Sequence, residues 1–144
     1  MKNQLNIIVL AGGKGTRVKS ILGETPKILA KINGISFIEY LEKWILSKLE
    51  NTYKQIIIAS GVGHEHIANY TEKMGKNWII VREERLLGTL GAAANCVKQL
   101  RQAEADYLIL NGDTLFEADL ENAYNKFKKD RSNPLVIVKK TGNN

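Results

Sequence analysis

Short, nearly continuous apolar runs alternate along this chain with stretches whose apolar residues recur at helical spacing. Leu5–Leu10, Gln55–Ala59, Trp78–Val81, Tyr107–Leu110 and Leu135–Val138 are the runs. Lacking a polar face, they predict strands buried on both sides, as in a parallel sheet. Between them, Phe37, Ile38, Leu41, Ile45 and Leu49 share one helical face, with Ser36 and Glu39 spaced as a capping box. Further helices are predicted over His64–Met74, ending near Gly75, and over the alanine-rich Leu90–Leu100 and Leu120–Phe127. Lys19–Pro26 shows neither period and is expected to be irregular.

Strands alternating with helices imply an α/β fold with a doubly wound, mostly parallel, Rossmann-like sheet. Such sheets bind ligands beyond the carboxyl ends of their strands. The unusual polar stretches fall at those ends: AGGKGTR, SGVGHEH, REERLLGT and NGDT follow the first four strands in turn. Neither repeats nor low-complexity linkers interrupt the pattern, so one domain is expected over residues 1–144.

Composition narrows the classes. At 44% hydrophobic and 25% charged residues the chain is ordinary for a globular protein. No apolar run reaches the ~18 residues of a membrane span, and the N-terminus lacks a cleavage-site pattern. A single cysteine, Cys96, excludes an internal disulfide and fits a cytoplasmic setting. The net charge of +6 raises nucleic acid as a partner. The basic residues are scattered, however, and the one run, Lys126–Arg131, reads as a solvated helix end. A polyanionic small substrate accounts for the charge better.

The glycine loop, Leu10–Arg17, supplies the chemistry. Lys14 is followed by Gly15, which breaks the P-loop pattern, and Val18 stands where the dinucleotide fingerprint needs glycine. What remains is a nest of backbone N–H groups with a hydroxyl, Thr16, and two cations, Lys14 and Arg17, suited to a polyphosphate. Lys27 adds a cation after the conformationally fixed Pro26. Cations so placed can neutralise charge on a leaving pyrophosphate. Asp113 in NGD reads either as a metal ligand or as an Asx-type turn residue. His64 and His66, two apart at a helix start, do not face one way and read as exposed or capping rather than metal-binding. Cys96 reads as a small core residue.

These residues together resemble the sugar-1-phosphate nucleotidyltransferases, also called nucleoside-diphosphate-sugar pyrophosphorylases. LAGGKGTR, the proline–lysine pair with Lys27 ten residues beyond Arg17, LLGTLGA (Leu86–Ala92) and LILNGDTLF (Leu108–Phe116) match that family's motifs in order. NGDTLFEADL and SGVGHEHI look most like heptose-1-phosphate and mannose-1-phosphate guanylyltransferases. Ile28, Lys31 and Leu86 stand where the family often has proline. Family members are usually longer, so the resemblance also implies that the C-terminal part of the fold, with a second metal-binding aspartate, is missing here.

The resemblance implies a set of roles. Arg17, Lys27 and Asp113 would be catalytic, with Asp113 holding Mg²⁺. Leu10, Ala11, Gly12, Gly13, Gly15, Thr16, Arg17, Lys27, Glu83, Gly88 and Thr89 would bind the nucleotide. Asn111 and Gly112 would bind the sugar phosphate. Glu83 lies five residues before Gly88, where the family reads the base. A carboxylate only accepts hydrogen bonds, which matches the paired donors of guanine and favours GTP. The alternative for Glu83 is a surface residue of REER. The implied reaction transfers a nucleotidyl group, GMP from GTP, to a sugar 1-phosphate by direct displacement. Uridylyl or thymidylyl transfer, and a non-catalytic nucleotide-binding module, stand as alternatives. Neither nucleic acid nor membrane is expected as a partner, and a homo-oligomer is left open.

Overall fold

The computed structural model describes residues 5–138. Four strands form one sheet: β1 (Leu5–Ala11), β4 (Tyr53–Ser60), β5 (Ile79–Arg82) and β6 (Asp106–Asn111), in the order β5-β4-β1-β6. Every pairing is parallel. β1 is an interior strand, paired with β4 along one edge and β6 along the other. Ile8 sits opposite Ile57 on one side and Ile109 on the other. A strand so enclosed has no solvated face, and residues 5 to 9 are all buried.

Helices cover both faces. Ile7, Val9, Ile56 and Ile58 pack on one side with Ile38, Leu41 and Ile45 of α2 (Phe37–Leu49), Ile67 of α3 (His64–Lys73) and Leu120 of α5 (Leu120–Lys129). Ile8, Ile57, Ala59 and Val81 pack on the other with Ala92, Ala93 and Cys96 of α4 (Gly88–Leu100). The small residues of α4 let it lie close to the sheet. Burial of the Cys96 thiol, with Glu83 nearby, pushes its pKa to about 11, consistent with a packing role rather than nucleophilic chemistry.

The capping box is present: Ser36 caps α2 while the Glu39 carboxylate accepts from the Ser36 N–H. The Tyr70 hydroxyl also donates to Glu39, tying α3 to the start of α2. Trp78 and Lys76 both donate to Glu42, joining α2 to the segment before β5.

Three expectations are corrected. Leu135–Val138 is not a strand; it pairs with no other described strand, and Val136 and Val138 are 76% and 81% exposed. An apolar run is a strand only where a neighbour accepts its hydrogen bonds. Lys19–Pro26 is irregular only in part: a 3-10 turn at Thr16–Val18 leads into the short helix α1 (Lys19–Leu22), and Gly23–Pro26 has neither helix nor strand. The brevity of α1 hid any apolar period. The structure also adds a hairpin, β2 (Lys31–Ile32) with β3 (Ile35–Ser36). Its turn residues, Asn33 and Gly34, both take positive φ, as an Asn-Gly hairpin turn requires. The basic run Lys126–Arg131, which spans the end of α5, is not wholly solvated, since Arg131 forms an ion pair with the buried Asp106. Among the described residues, no helix is long and apolar enough to cross a membrane.

Candidate functional site

Parallel strands bring their carboxyl ends to one edge, and register sets which residues meet there. Ala11 lies opposite Ser60, and Ser60 opposite Arg82. Leu10 lies opposite Asn111. The loops following β1, β4, β5 and β6 therefore start side by side.

The β1 and β6 loops are stitched together. The Gly112 N–H donates to the Leu10 carbonyl at 2.9 Å. A Cβ at Gly112 would lie 2.6 Å from that same oxygen, so only glycine fits this approach. The contact fixes the backbone immediately before Asp113. Lys27 arrives from the other side, its stem passing over Gly15 with Cγ 3.6 Å from where a Cβ would be. Gly15 itself has φ +60°, which admits glycine readily. The Lys27 ammonium ends 3.7 Å from Asp113 Oδ2. The Thr114 hydroxyl donates to the other Asp113 oxygen.

The β1 and β5 loops meet through Glu83. Its carboxylate lies so close to Gly12 that a Cβ there would be 2.5 Å from Glu83 Oε1. Glu83 is only 8% exposed, whereas Glu84 and Arg85 are exposed, so the reading of Glu83 as a surface residue of REER is excluded. The Leu87 N–H donates to Glu83 Oε2 at 3.3 Å. Gly88 has φ +71° and opens α4, with the exposed Thr89 next to it at the helix N-terminus.

The sequence-derived candidates thus fall into two groups. Gly12, Glu83, Gly88 and Thr89 lie along the β1–β5 side. Gly15, Lys27, Asn111, Gly112 and Asp113 lie along the β1–β6 side. Between the glycine loop and the Lys19–Lys27 segment is a shallow open cleft with about 40 Å³ of enclosed space, lined by Gly13, Lys14, Gly15, Lys19, Lys27 and Val62, among others. Thr16 and Arg17 are exposed on the turn beginning this segment. Lys14 is exposed as well as lining the cleft.

His66 is exposed, as expected. His64 is not simply exposed: its Nδ1 is 2.8 Å from the hydroxyl of the fully buried Ser60. Among the described residues, no group of three or more His, Cys, Asp or Glu side chains can enclose a metal ion. Ser60, Gly61 and Gly63 belong to the SGVGHEH stretch that the sequence places at this edge, but its pattern assigns none of them an individual role.

Residues 6–144 match the nucleotidyl transferase family. The chain belongs to that family. It is 33% identical over 142 residues to D-glycero-alpha-D-manno-heptose 1-phosphate guanylyltransferase of Aneurinibacillus thermoaerophilus, covering 94% of this chain and 59% of the relative. It is 34% identical over 121 residues to the bifunctional protein GlmU of Methanococcus maripaludis, covering 84% of this chain and 28% of GlmU. Among solved structures it is similar to HddC from Yersinia pseudotuberculosis complexed with GMP-PN, with TM-score 0.69 and 26% identity over 85% of this chain and 53% of HddC. The chain therefore spans less than two thirds of the length of these relatives. The family match agrees with the resemblance carried by the four motifs, and the structural likeness with the doubly wound α/β sheet.

Proposed function

We propose that this protein transfers GMP from GTP to a sugar 1-phosphate, releasing pyrophosphate. The observation that carries this reading is the convergence of Gly15, Lys27 and Asp113 beside an open cleft. A glycine nest, a cation and a carboxylate at one strand edge suit a triphosphate with its counter-ion. Guanine is favoured by Glu83, an acceptor-only side chain held against Gly12. The guanylyltransferase name of the heptose 1-phosphate relative supports the same choice.

In this reading a phosphate oxygen of the sugar 1-phosphate attacks the α-phosphorus of GTP, and pyrophosphate leaves in line. The reaction needs no enzyme nucleophile. Positioning and charge stabilisation lower the barrier. Arg17 and Lys27 hold the β- and γ-phosphates and compensate the charge on departing pyrophosphate. Leu10, Ala11, Gly12, Gly13 and Thr16 approach the nucleotide along the β1 loop, Gly88 and Thr89 at the start of α4. Asn111 and Gly112 face the sugar phosphate.

Asp113 fits a Mg²⁺ ligand. Mg²⁺ typically takes one or two protein carboxylates and completes its shell with water and substrate phosphates, and Asp113 is a half-exposed carboxylate beside the cleft loop. When bound there, Mg²⁺ would supply positive charge to the reacting phosphates. Lys27 then has a phosphate chain in place of Asp113 as its counter-ion.

The test is thermal unfolding with Mg²⁺ and each of GTP, UTP, dTTP, CTP and ATP, followed by pyrophosphate release with mannose, heptose and glucose 1-phosphates. A ligand that binds only the folded state raises its stability. A GTP-selective rise with GTP-dependent pyrophosphate release is expected. A rise with UTP or dTTP instead overturns the nucleotide but keeps the reaction class. No pyrophosphate release with any triphosphate overturns the reaction.

A further inference from the structure

The loop after β4 holds none of the residues assigned above, yet it touches both halves of the site. We propose that Ser60–His64 is a positioning wedge that sets the spacing between the base-reading and phosphate-facing halves. The proposal rests on the nucleotidyl-transfer reading.

Four contacts carry it. The Ser60 carbonyl accepts from the Glu83 N–H at 2.7 Å, fixing the backbone of the base-reading residue. Gly61 presses on the glycine loop: a Cβ there would lie 2.9 Å from the Gly12 carbonyl oxygen and 3.1 Å from its Cα. Gly63, at φ +83°, presses on the lysine segment, where a Cβ would lie 2.4 Å from Pro26 Cγ. Pro26 immediately precedes Lys27. Three residues of backbone thus span from Gly12 to Pro26, with no side chain admitted at either end.

The fourth contact locks the wedge. The Ser60 hydroxyl lies 3.2 Å from the Val81 carbonyl and 2.8 Å from His64 Nδ1. It has one proton, and a carbonyl can only accept. The arrangement that satisfies both contacts places the hydroxyl proton on Val81 and has the His64 Nδ1–H donate to Ser60. His64 also donates its backbone N–H to Gly61, closing the loop on itself at 3.1 Å.

Each end of the wedge has its own kinetic signature in the full chain. Gly63→Ala pushes Pro26 and with it Lys27, which acts on the leaving group. It should lower kcat at least about tenfold, while the KM for GTP changes less than about threefold. Gly61→Ala pushes Gly12 on the base side and should mainly raise the KM for GTP. Introducing Gly63→Ala into a Pro26→Ala background, where the clashing Cγ is gone, should cost less than about threefold further in kcat, while the strain of alanine at φ +83° still lowers stability in both backgrounds. A merely structural loop predicts lower thermal stability with kcat and KM unmoved, or the same kcat loss in both backgrounds; either result overturns the wedge. If Gly63→Ala does not fold, His64 carries the test. His64→Ala should raise the KM for GTP, and His64→Asn, whose amide can donate to Ser60, should restore it; equal KM values for both variants and the unaltered protein overturn the wedge. An unaltered protein that releases no pyrophosphate with any triphosphate overturns the underlying reaction, and the wedge with it.

Discussion

The Lys27 ammonium stands 3.7 Å from Asp113 Oδ2, although Lys27 belongs to the connection after β1 and Asp113 to the loop after β6, 86 residues later. Their side chains are 37% and 53% exposed, so the pair is screened and contributes at most about 1 kcal/mol to stability. An interaction that weak does little to hold the fold, and it is easily exchanged for a phosphate. Lys27→Met should therefore leave thermal stability within about 1 kcal/mol of the unaltered protein while cutting pyrophosphate release by at least about a hundredfold. Arg17→Ala, on an exposed turn, should behave in the same way. Unchanged turnover in either well-folded variant sinks that residue's assignment.

Glu83 offers a specificity test. Glu83→Gln replaces one acceptor oxygen with a donor, which opposes the paired donors of guanine. The KM for GTP should rise about tenfold or more, and the ratio of kcat/KM for GTP over UTP should fall. Gly12→Ala places a methyl 2.5 Å from Glu83 Oε1 and should impair GTP binding. Combining it with Glu83→Ala should not recover guanine selectivity, since the acceptor is lost. Competition kinetics with GTP and UTP measure both effects.

Acid stability should respond to Glu39. The Tyr70 and Ser36 hydroxyls donate to its carboxylate and hold its pKa below the ordinary carboxylate value. Because the folded pKa is the lower one, the ionised form contributes stability above the unfolded value. That contribution disappears as pH falls through the folded value. Urea unfolding between about pH 6 and pH 3 should show a steeper loss for the unaltered protein than for Glu39→Gln. Parallel curves refute the link.

The exposed run at Leu135–Val138 makes a contrary prediction for what was expected to be a buried strand. Val136→Ser and Val138→Ser should each change stability by less than about 0.5 kcal/mol. Ile58→Ala, in the fully buried centre of β4, should cost about 2–5 kcal/mol. A cost at Val136 approaching that of Ile58 would place the run in the core after all.

These contrasts show what the chain's text contains. Ile7, Ile8, Val9, Ile57 and Ile58 announce buried parallel strands because burial on two faces leaves no polar alternation. Ser36 and Glu39 announce a helix start because capping is local. Leu135–Val138 has the same composition, but a strand also requires a neighbour, and pairing is not written in the run itself. The hairpin at Asn33–Gly34 was legible in its turn residues and was overlooked because its strands are two residues each. Lys27 and Asp113 could be singled out one at a time from motif positions, whereas their meeting depends on sheet order. Glu83 could be weighed only between a surface and a site residue until its burial against Gly12 was seen. Ser60 and Gly63 carried no chemical label, since their role lies in what their backbone and hydroxyl press against.

The placement of β1 has a consequence for how the molecule comes into being. This strand precedes both of its neighbours in the chain, yet lies between them in the sheet. During synthesis its apolar length must wait, with both edges unsatisfied, until β4 and then β6 exist. Leu10 meets Gly112 only after about a hundred intervening residues have been made. The Leu10–Gly112 contact that immediately precedes Asp113 is thus a late event of folding. A nascent chain halted before Gly112 would display the glycine loop without that partner.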